Sequence, residues 1–345
     1  MQKQITHLNF AKGYRGGERQ TQLLIEELSY RGFHQKVFTR KKSELAQRLN
    51  HIKNLKIIPI SKPYIVYLYK IKNTDILHAH ETKAAQFCFF ANLRYNIPYI
   101  ITRRVDNTIK QNFFNKSIYT KAKYTVVLSN AIKKETLKIS QHINIQIIPS
   151  AYTQLKTNPS QIVKIQERFY NKFLIGNIGE LDNTHKGQYY LIEAMKEIQS
   201  KYPNIHLIFL GKGKDKSKYE EQAKDLKNIT FEGFVDNVGD YIASLDLFIF
   251  PSLNEGLGSI LLDIMQAKVP IAASNVGGIP DLIKDNHNGI LFPSKDSHAI
   301  SQAIESLYLS EEKRISLSEN AFNNIKNYSF SVMTDKYIQL YQEIL

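Results

Sequence analysis

Apolar residues reach the first half of this chain in short β-branched and aromatic runs: QITHLNF, HQKVFT, TDILHAH, IPYIIT, KYTVVLS and IQIIP. Between them lie segments such as GGERQTQLLIEELSYRG, with apolar residues at helical spacing. That alternation predicts βαβ units and a parallel, doubly wound sheet. A polar stretch at 151–161, AYTQLKTNPSQ, carries the turn residues Asn158, Pro159 and Ser160 and reads as a linker. The rhythm then restarts with KFLIGNIGE, HKGQYYLIEAMKEIQSKYP, NIHLIFLGKG, NITFEGFV, LDLFIFPS, KVPIAASNVGG and NGILFPS. The predicted fold is α/β, with two Rossmann-like doubly wound parallel-sheet domains facing across a cleft. Their expected extents are 1–155 and 156–345, with helices at the C-terminus and a last helix, near 330–345, that returns to the first domain.

Composition leaves that picture intact and adds an asymmetry. The 345 residues suit two domains, and 43% apolar with 23% charged content is ordinary for globular chains. No stretch approaches the roughly 18 consecutive apolar residues of a membrane span, and the polar start predicts a cytoplasmic protein. Cys88 is the single cysteine, which excludes an intramolecular disulfide and a cysteine metal cluster, and QFCFF reads as core. The net charge of +14 is uneven: residues 1–150 hold 26 Lys and Arg against 8 acids, and the remainder holds 20 against 24. A basic first half points to a polyanion or an anionic membrane surface.

In such sheets ligands bind outside the carboxyl ends of the strands, so the loops there are the places to look for chemistry. FAKGYRGGERQ sets Gly13, Gly16 and Gly17 between the first strand and first helix, with Arg19 following. That suits a phosphate or sugar oxygen, and a plain strand-to-helix turn accounts for the glycines as well; no GxGxxG is present. HAHE ends the strand TDIL, and His78 and His80 are expected on opposite faces, unable to share one ion. His80 is a candidate base or sugar ligand, with a structural histidine as the plainer alternative. Arg103 and Arg104 close the next strand as a candidate fork for phosphate or carboxylate. The following stretch to 123 mixes lysines with Phe113, Phe114 and Tyr119, which suits an anionic interface or a solvated helix with aromatics in the core.

The second half has three more such loops. GNIGELDNTHKG brings Lys186 and Gly187 to a helix start, and LGKG places Gly211 and Gly213 at another strand end. PSLNEGLGSILLDIMQAK carries Glu255 in a loop, a turn of Gly256, Leu257, Gly258 and Ser259, and Asp263 behind it on a helix expected to begin near Gly258. Two carboxylates eight residues apart span the order of a sugar linked to a nucleotide diphosphate, about 12 Å if helical. The alternative is that Glu255 caps the helix and Asp263 is a surface acid.

These motifs, taken in order, resemble glycosyltransferase family 4, retaining enzymes of the GT-B fold: Gly16-Gly17-Glu18-Arg19, HAH, Lys186-Gly187, FEGFVDNVGDYIASLDLFIFPS leading into EGLG, SNVGGIPDLI and NGILFP. The resemblance covers nearly the whole chain. It implies a hexosyltransferase-type enzyme with a nucleotide-diphosphate sugar bound by the second domain, an acceptor bound by the first, and no obligatory metal or other cofactor. Glu255 would contact the donor sugar, Asp263 the ribose, and Lys186 the diphosphate. Gly16, Gly17, Arg19, Gly211, Gly213 and Gly256 to Ser259 would line the donor, His80 would polarise the acceptor hydroxyl or hold a sugar, and Arg103 and Arg104 would hold the acceptor. Two departures stand out: Asp263 replaces the usual glutamate, and Glu180 stands where the family places an arginine. Within the family the basic first half is most like enzymes of lipopolysaccharide core or other lipid-linked envelope glycans. That implies a glycolipid or glycan acceptor and a peripheral place on the cytoplasmic face of the inner membrane. The alternatives are a nucleotide-sugar epimerase, a non-catalytic sugar-binding protein and a polyanion binder. Nucleic acid is not expected, since no recognition motif for it is visible.

Overall fold

The computed structural model describes residues 3–345. The chain divides into two compact units, the first running through Ala151 and including Tyr328–Leu345, the second spanning Tyr152–Asn327. In the first unit β1 (Ile5–Asn9), β2 (Gln35–Arg40), β3 (Leu55–Ile60), β4 (Ile76–Ala79), β5 (Tyr99–Arg103), β6 (Tyr124–Val127) and β7 (Ile145–Ile147) form one sheet. Its order is β3-β2-β1-β4-β5-β6-β7, with every pair parallel. The crossovers use α1 (Gly16–Tyr30), α2 (Glu44–Leu49), a 3-10 helix at Tyr64–Ile71, α3 (Thr82–Tyr95), α4 (Phe113–Lys121) and α5 (Asn130–Leu137). β4 and β5 are buried along their whole length, so they read as continuous rather than alternating apolar runs.

The second unit opens with α6 (Pro159–Arg168), so the expected linker ends in a helix. Asn158 caps it by accepting from the Ser160 N–H, and Pro159 takes the first helical position, where its missing N–H is no loss. The unit continues through β8 (Phe173–Ile178), α7 (Gln188–Lys201), β9 (Ile205–Leu210), α8 (Lys216–Gln222) and β10 (Ile229–Gly233). α9 (Val238–Ile242), β11 (Leu247–Phe250), α10 (Ile260–Gln266), β12 (Ile271–Ser274), α11 (Ile279–Leu282) and β13 (Ile290–Phe292) follow, then α12 (Ser297–Leu309) and α13 (Glu311–Ile325). The sheet order is β10-β9-β8-β11-β12-β13, again parallel throughout.

The last helix, α14 (Phe330–Ile344), belongs to the first unit. Its buried Met333, Tyr337, Leu340 and Tyr341 share a core cluster with Leu24 and Leu28 of α1. Arg31 at the end of α1 clamps it through an ion pair to Asp335 and a 2.8 Å bond to the Ser331 hydroxyl.

In each sheet the strand order reverses between the first strand and its fourth-strand neighbour: β1 beside β4, and β8 beside β11. Open α/β sheets leave a crevice at that reversal, outside the carboxyl ends, because the flanking helices diverge to opposite faces. The HAH segment follows from β4, the Lys186 loop from β8 and the Glu255 loop from β11, so these sequence motifs leave the reversal strands.

Candidate active site

In the second unit Lys186 and Glu255 meet. The Lys186 Nζ donates to Glu255 Oε2 at 2.7 Å, both side chains are partly exposed, and the ammonium lies 5.6 Å from the centre of the Phe250 ring. Glu255 does not cap α10, whose N-cap is Ser259. Its loop is instead held by its backbone: the Glu255 carbonyl accepts from the Gly278 N–H at 2.9 Å. A side chain on Gly277, at φ +53°, would stand 2.0 Å from that carbonyl oxygen. Gly187 caps α7 in the left-handed region, φ +65°, and a Cβ there would stand 2.0 Å from the Pro251 carbonyl oxygen. The two loops thus pack backbone to backbone, which is what brings the lysine and the carboxylate together across 69 residues of chain.

Two sequence expectations change here. α10 begins at Ile260, so Asp263 sits in the first helical turn rather than the second. It is buried, and its Oδ1 accepts from both the Thr153 N–H (2.7 Å) and the Thr153 hydroxyl (3.0 Å), so it anchors the segment entering this unit and is no surface acid. Gly211 and Gly213 serve close packing: a Cβ on either would stand 1.9 Å from the Gly179 oxygen or 2.2 Å from the Leu181 oxygen. Gly256, Leu257 and Gly258 (φ +81°) are buried and Ser259 is half-buried, with a Cβ on Gly258 standing 3.1 Å from Leu261 and 3.2 Å from Phe250. Glu180 is exposed, with its carbonyl taken by the Gln188 side chain, and Lys212 lies over the Phe234 ring.

In the first unit His78 and His80 lie on one side of the sheet, their ring centroids 3.9 Å apart. The expectation of opposite faces fails because side chains two apart on a strand point the same way. His7 of β1 is in register with His78 and completes a buried trio. The three offer ring nitrogens within 4.8 Å of one another, yet both nitrogens of each ring already face protein partners. His78 meets Tyr341 and Thr102, both at 2.7 Å, and His7 meets Gln35 at 2.9 Å and His80 at 3.0 Å. His80 Nδ1 faces Arg104. Burial pushes all three histidines down, His7 to about 4 and the others well below the ordinary value, so the trio is neutral at pH 7.

Arg103 and Arg104 form no fork, since adjacent strand residues point to opposite faces. Arg103 turns inward, bonding the Asn107 carbonyl and, at 3.3 Å, the Tyr119 hydroxyl. Arg104 lies along His80, giving 3.3 Å to its carbonyl and 3.4 Å to Nδ1. Its Cδ would be 3.4 Å from a side chain on Gly17, whereas the position of a Cβ on Gly16 meets nothing within 4 Å. Arg19 lies half-buried in the first turn of α1. His7, Gln35, Thr102, Tyr337 and Tyr341 were not singled out by motif. For His7 and Thr102 the signal is period two, since His7 and Asn9, His78 and His80, and Thr102 and Arg104 put polar residues on alternate positions; Gln35 and the helical Tyr337 and Tyr341 carry no such signal.

The segment at 103–123 divides between its two readings. In α4, Ile118 and Tyr119 are buried, while Phe113 is 86% exposed. Phe90 of α3 and Phe114 of α4 pack with ring centroids 5.8 Å apart, and both stay partly exposed beside Leu93. Cys88 is buried in the core beneath, its thiol pushed well up by desolvation. Among the described residues no helix is long and apolar enough to cross a membrane.

Comparison with known proteins agrees with this geometry. Residues 160–324 match the family described as glycosyl transferases group 1. EpsD of Bacillus subtilis (strain 168) is 34% identical over 129 residues, a span of 36% of this chain and 34% of EpsD. The lipopolysaccharide core biosynthesis glycosyltransferase LpsE of Rhizobium meliloti (strain 1021) is 23% identical over 97% of this chain and 98% of its own length. The crystal structure of Anabaena HepE in complex with UDP-glucose superposes with a TM-score of 0.86 at 18% identity, covering 99% of each chain. The loops of the second unit lie inside the matched segment, so residues 160–324 resemble a group 1 glycosyl transferase domain, and the chain is a glycosyltransferase of the GT-B type.

Proposed function

We propose that this glycosyltransferase moves a hexose from a nucleotide-diphosphate sugar to a hydroxyl of a lipid-linked or envelope glycan, with retention of anomeric configuration and without an obligatory metal. The observation that carries the reading is the Lys186–Glu255 contact at the strand-order reversal of the second unit. The pair is reachable from solvent on one side, so an arriving diphosphate competes with Glu255 for Lys186 through the same kind of charge-assisted hydrogen bond. The lysine then sits beside the N-terminus of the 14-residue α7 and neutralises charge on the leaving nucleotide, while the freed Glu255 takes sugar hydroxyls. With Glu180 in the family's arginine position, Lys186 carries more of that charge. Asp263, which holds Thr153 at the start of this unit, is the candidate for the ribose end of the donor. UDP-glucose in HepE makes a uridine nucleotide the first donor to test.

The acceptor belongs to the first unit, with Arg104 beside Gly17 as its anion holder. An anionic membrane surface is the place of reaction: the exposed aromatics of α3 and α4 lie among Arg94, Lys110, Lys116 and Lys121, and lipid-linked acceptors reside there. LpsE, matched along nearly its whole length, favours lipopolysaccharide-type biosynthesis.

The test is a panel of nucleotide sugars read by thermal shift, since a ligand at 100 times its Kd stabilises by about 2.7 kcal/mol. The stabilising donor should lose most of its shift with Lys186→Ala, and its transfer should slow by about a hundredfold or more. Glu255→Gln should still bind the free nucleotide diphosphate but lose the preference for its sugar conjugate. Unchanged turnover in Lys186→Ala would refute the assignment. Turnover of donor without an acceptor would favour an epimerase.

A further inference from the structure

The buried polar chain behind Arg104 has a direction that can be read atom by atom. The Gln35 amide is oriented by its neighbours: its Nε2 donates to the Ile25 carbonyl at 3.0 Å and to the Ser29 hydroxyl at 2.8 Å. A carbonyl only accepts, so the amide oxygen must be the atom that faces His7. His7 Nε2 lies 2.9 Å from that oxygen and therefore carries the proton, which leaves His7 Nδ1 as a lone pair. His80 Nε2, 3.0 Å away, must donate to it, so His80 Nδ1 is in turn a lone pair. That lone pair faces both terminal nitrogens of Arg104, at 3.5 and 3.4 Å.

Arg104 is an unusual cation. No carboxylate among the described residues lies within ion-pair distance of it, with Glu18 supporting its charge only from farther away. Its Nε is buried and without a hydrogen-bond partner. A guanidinium left with an unpaired buried N–H, beside the neutral His80 ring and close to Gly17 in the first turn of α1, lacks an anion to complete it.

We infer that Gln35 and His7 are positioning residues: they hold His80 in the Nε2–H tautomer, so that its Nδ1 lone pair aims Arg104 at an anionic group, phosphate or carboxylate, of the acceptor. In this arrangement His80 serves the arginine and does not take a proton from the acceptor hydroxyl. His7 and Gln35 are both almost wholly buried, so neither touches substrate. The inference rests on the proposed acceptor role of Arg104.

The experiment uses the full chain with 15N-labelled histidine and arginine and inorganic phosphate as probe. In the wild type at pH 7.5, His80 should show the Nε2–H pattern, and phosphate should shift the Arg104 Nε–H signal. In His7→Phe the His80 Nε2–H loses its acceptor, so the ring should lose its fixed position, its 15N signals should shift and broaden, and phosphate affinity at Arg104 should fall about tenfold or more, while stabilisation by the nucleotide-sugar donor stays as in the wild type. If His7→Phe fails to fold, Gln35→Met, a close match in volume, should loosen His7 and give a smaller shift of the His80 15N signals and an intermediate affinity. A wild-type His80 in the Nδ1–H form overturns the inference outright. So does a folded His7→Phe with wild-type His80 signals and phosphate titration. If phosphate leaves Arg104 unmoved although His80 is Nε2–H, the acceptor reading of Arg104 is what fails, and the aiming role falls with it.

Discussion

Lowering the pH from 7.5 to 5 should destabilise the first unit through its three buried histidines. His7 has a folded value of about 4 against 6.5 unfolded. A depressed histidine keeps the folded state neutral while the unfolded chain takes up protons. Its stabilisation is therefore complete above 6.5 and is lost as pH falls toward 4. For His7 alone the loss between pH 7.5 and 5 is about 2 kcal/mol. His78 and His80 are lowered in the same sense, by burial first and then by the neighbouring rings and Arg104, so they add to the loss in the same direction. Against a total stability of about 5–15 kcal/mol the His7 part alone is a sizeable fraction, and it corresponds to roughly 4–8 °C in Tm for a unit of this size. The chain has no tryptophan, so urea unfolding is best followed by far-ultraviolet circular dichroism. His206 of the second unit is also lowered to about 4, so the decisive comparison is between wild type and His7→Gln. The variant is less stable at pH 7.5, but its further loss on going to pH 5 should be smaller by about 2 kcal/mol. An identical pH dependence in the two proteins would refute the linkage to this cluster.

Two other predictions follow from positions with little room to change. Gly187→Ala puts a side chain in the left-handed region and 2.0 Å from the Pro251 oxygen. It should destabilise the second unit by at least about 1–3 kcal/mol from the backbone conformation alone and should separate Lys186 from Glu255, seen as lost donor stabilisation in thermal shift. Phe113→Ser removes the most exposed aromatic of α4. If that face enters an anionic bilayer, burial of the ring is worth about 1.5–3 kcal/mol, so sedimentation with phosphatidylglycerol vesicles should show binding about tenfold weaker or more, with the Tm unchanged.

The sequence by itself determined the architecture. Period-two and helical patterns alternate along the chain, and a strand followed by a helix must cross over to a parallel neighbour, so two doubly wound sheets were already implied. It also determined which loops carry chemistry, because glycine, lysine and carboxylate at strand ends are local features. Lys186-Gly187 and Glu255 with its glycine turn were legible for that reason. Only the tertiary structure decided how those groups are used. That Lys186 lies against Glu255, that Asp263 is tied to Thr153, and that Gly211 and Gly213 make room for backbone all depend on loops distant in sequence meeting at one sheet edge. The histidine trio shows the division most sharply. The pattern HAH was plain, but its partners come from β1, β2, β5 and the last helix, and the proton positions along His7 and His80 follow from a glutamine amide oriented by a carbonyl in α1. A hydrogen-bond chain of that kind joins residues far apart along the polypeptide, and no local spacing encodes it.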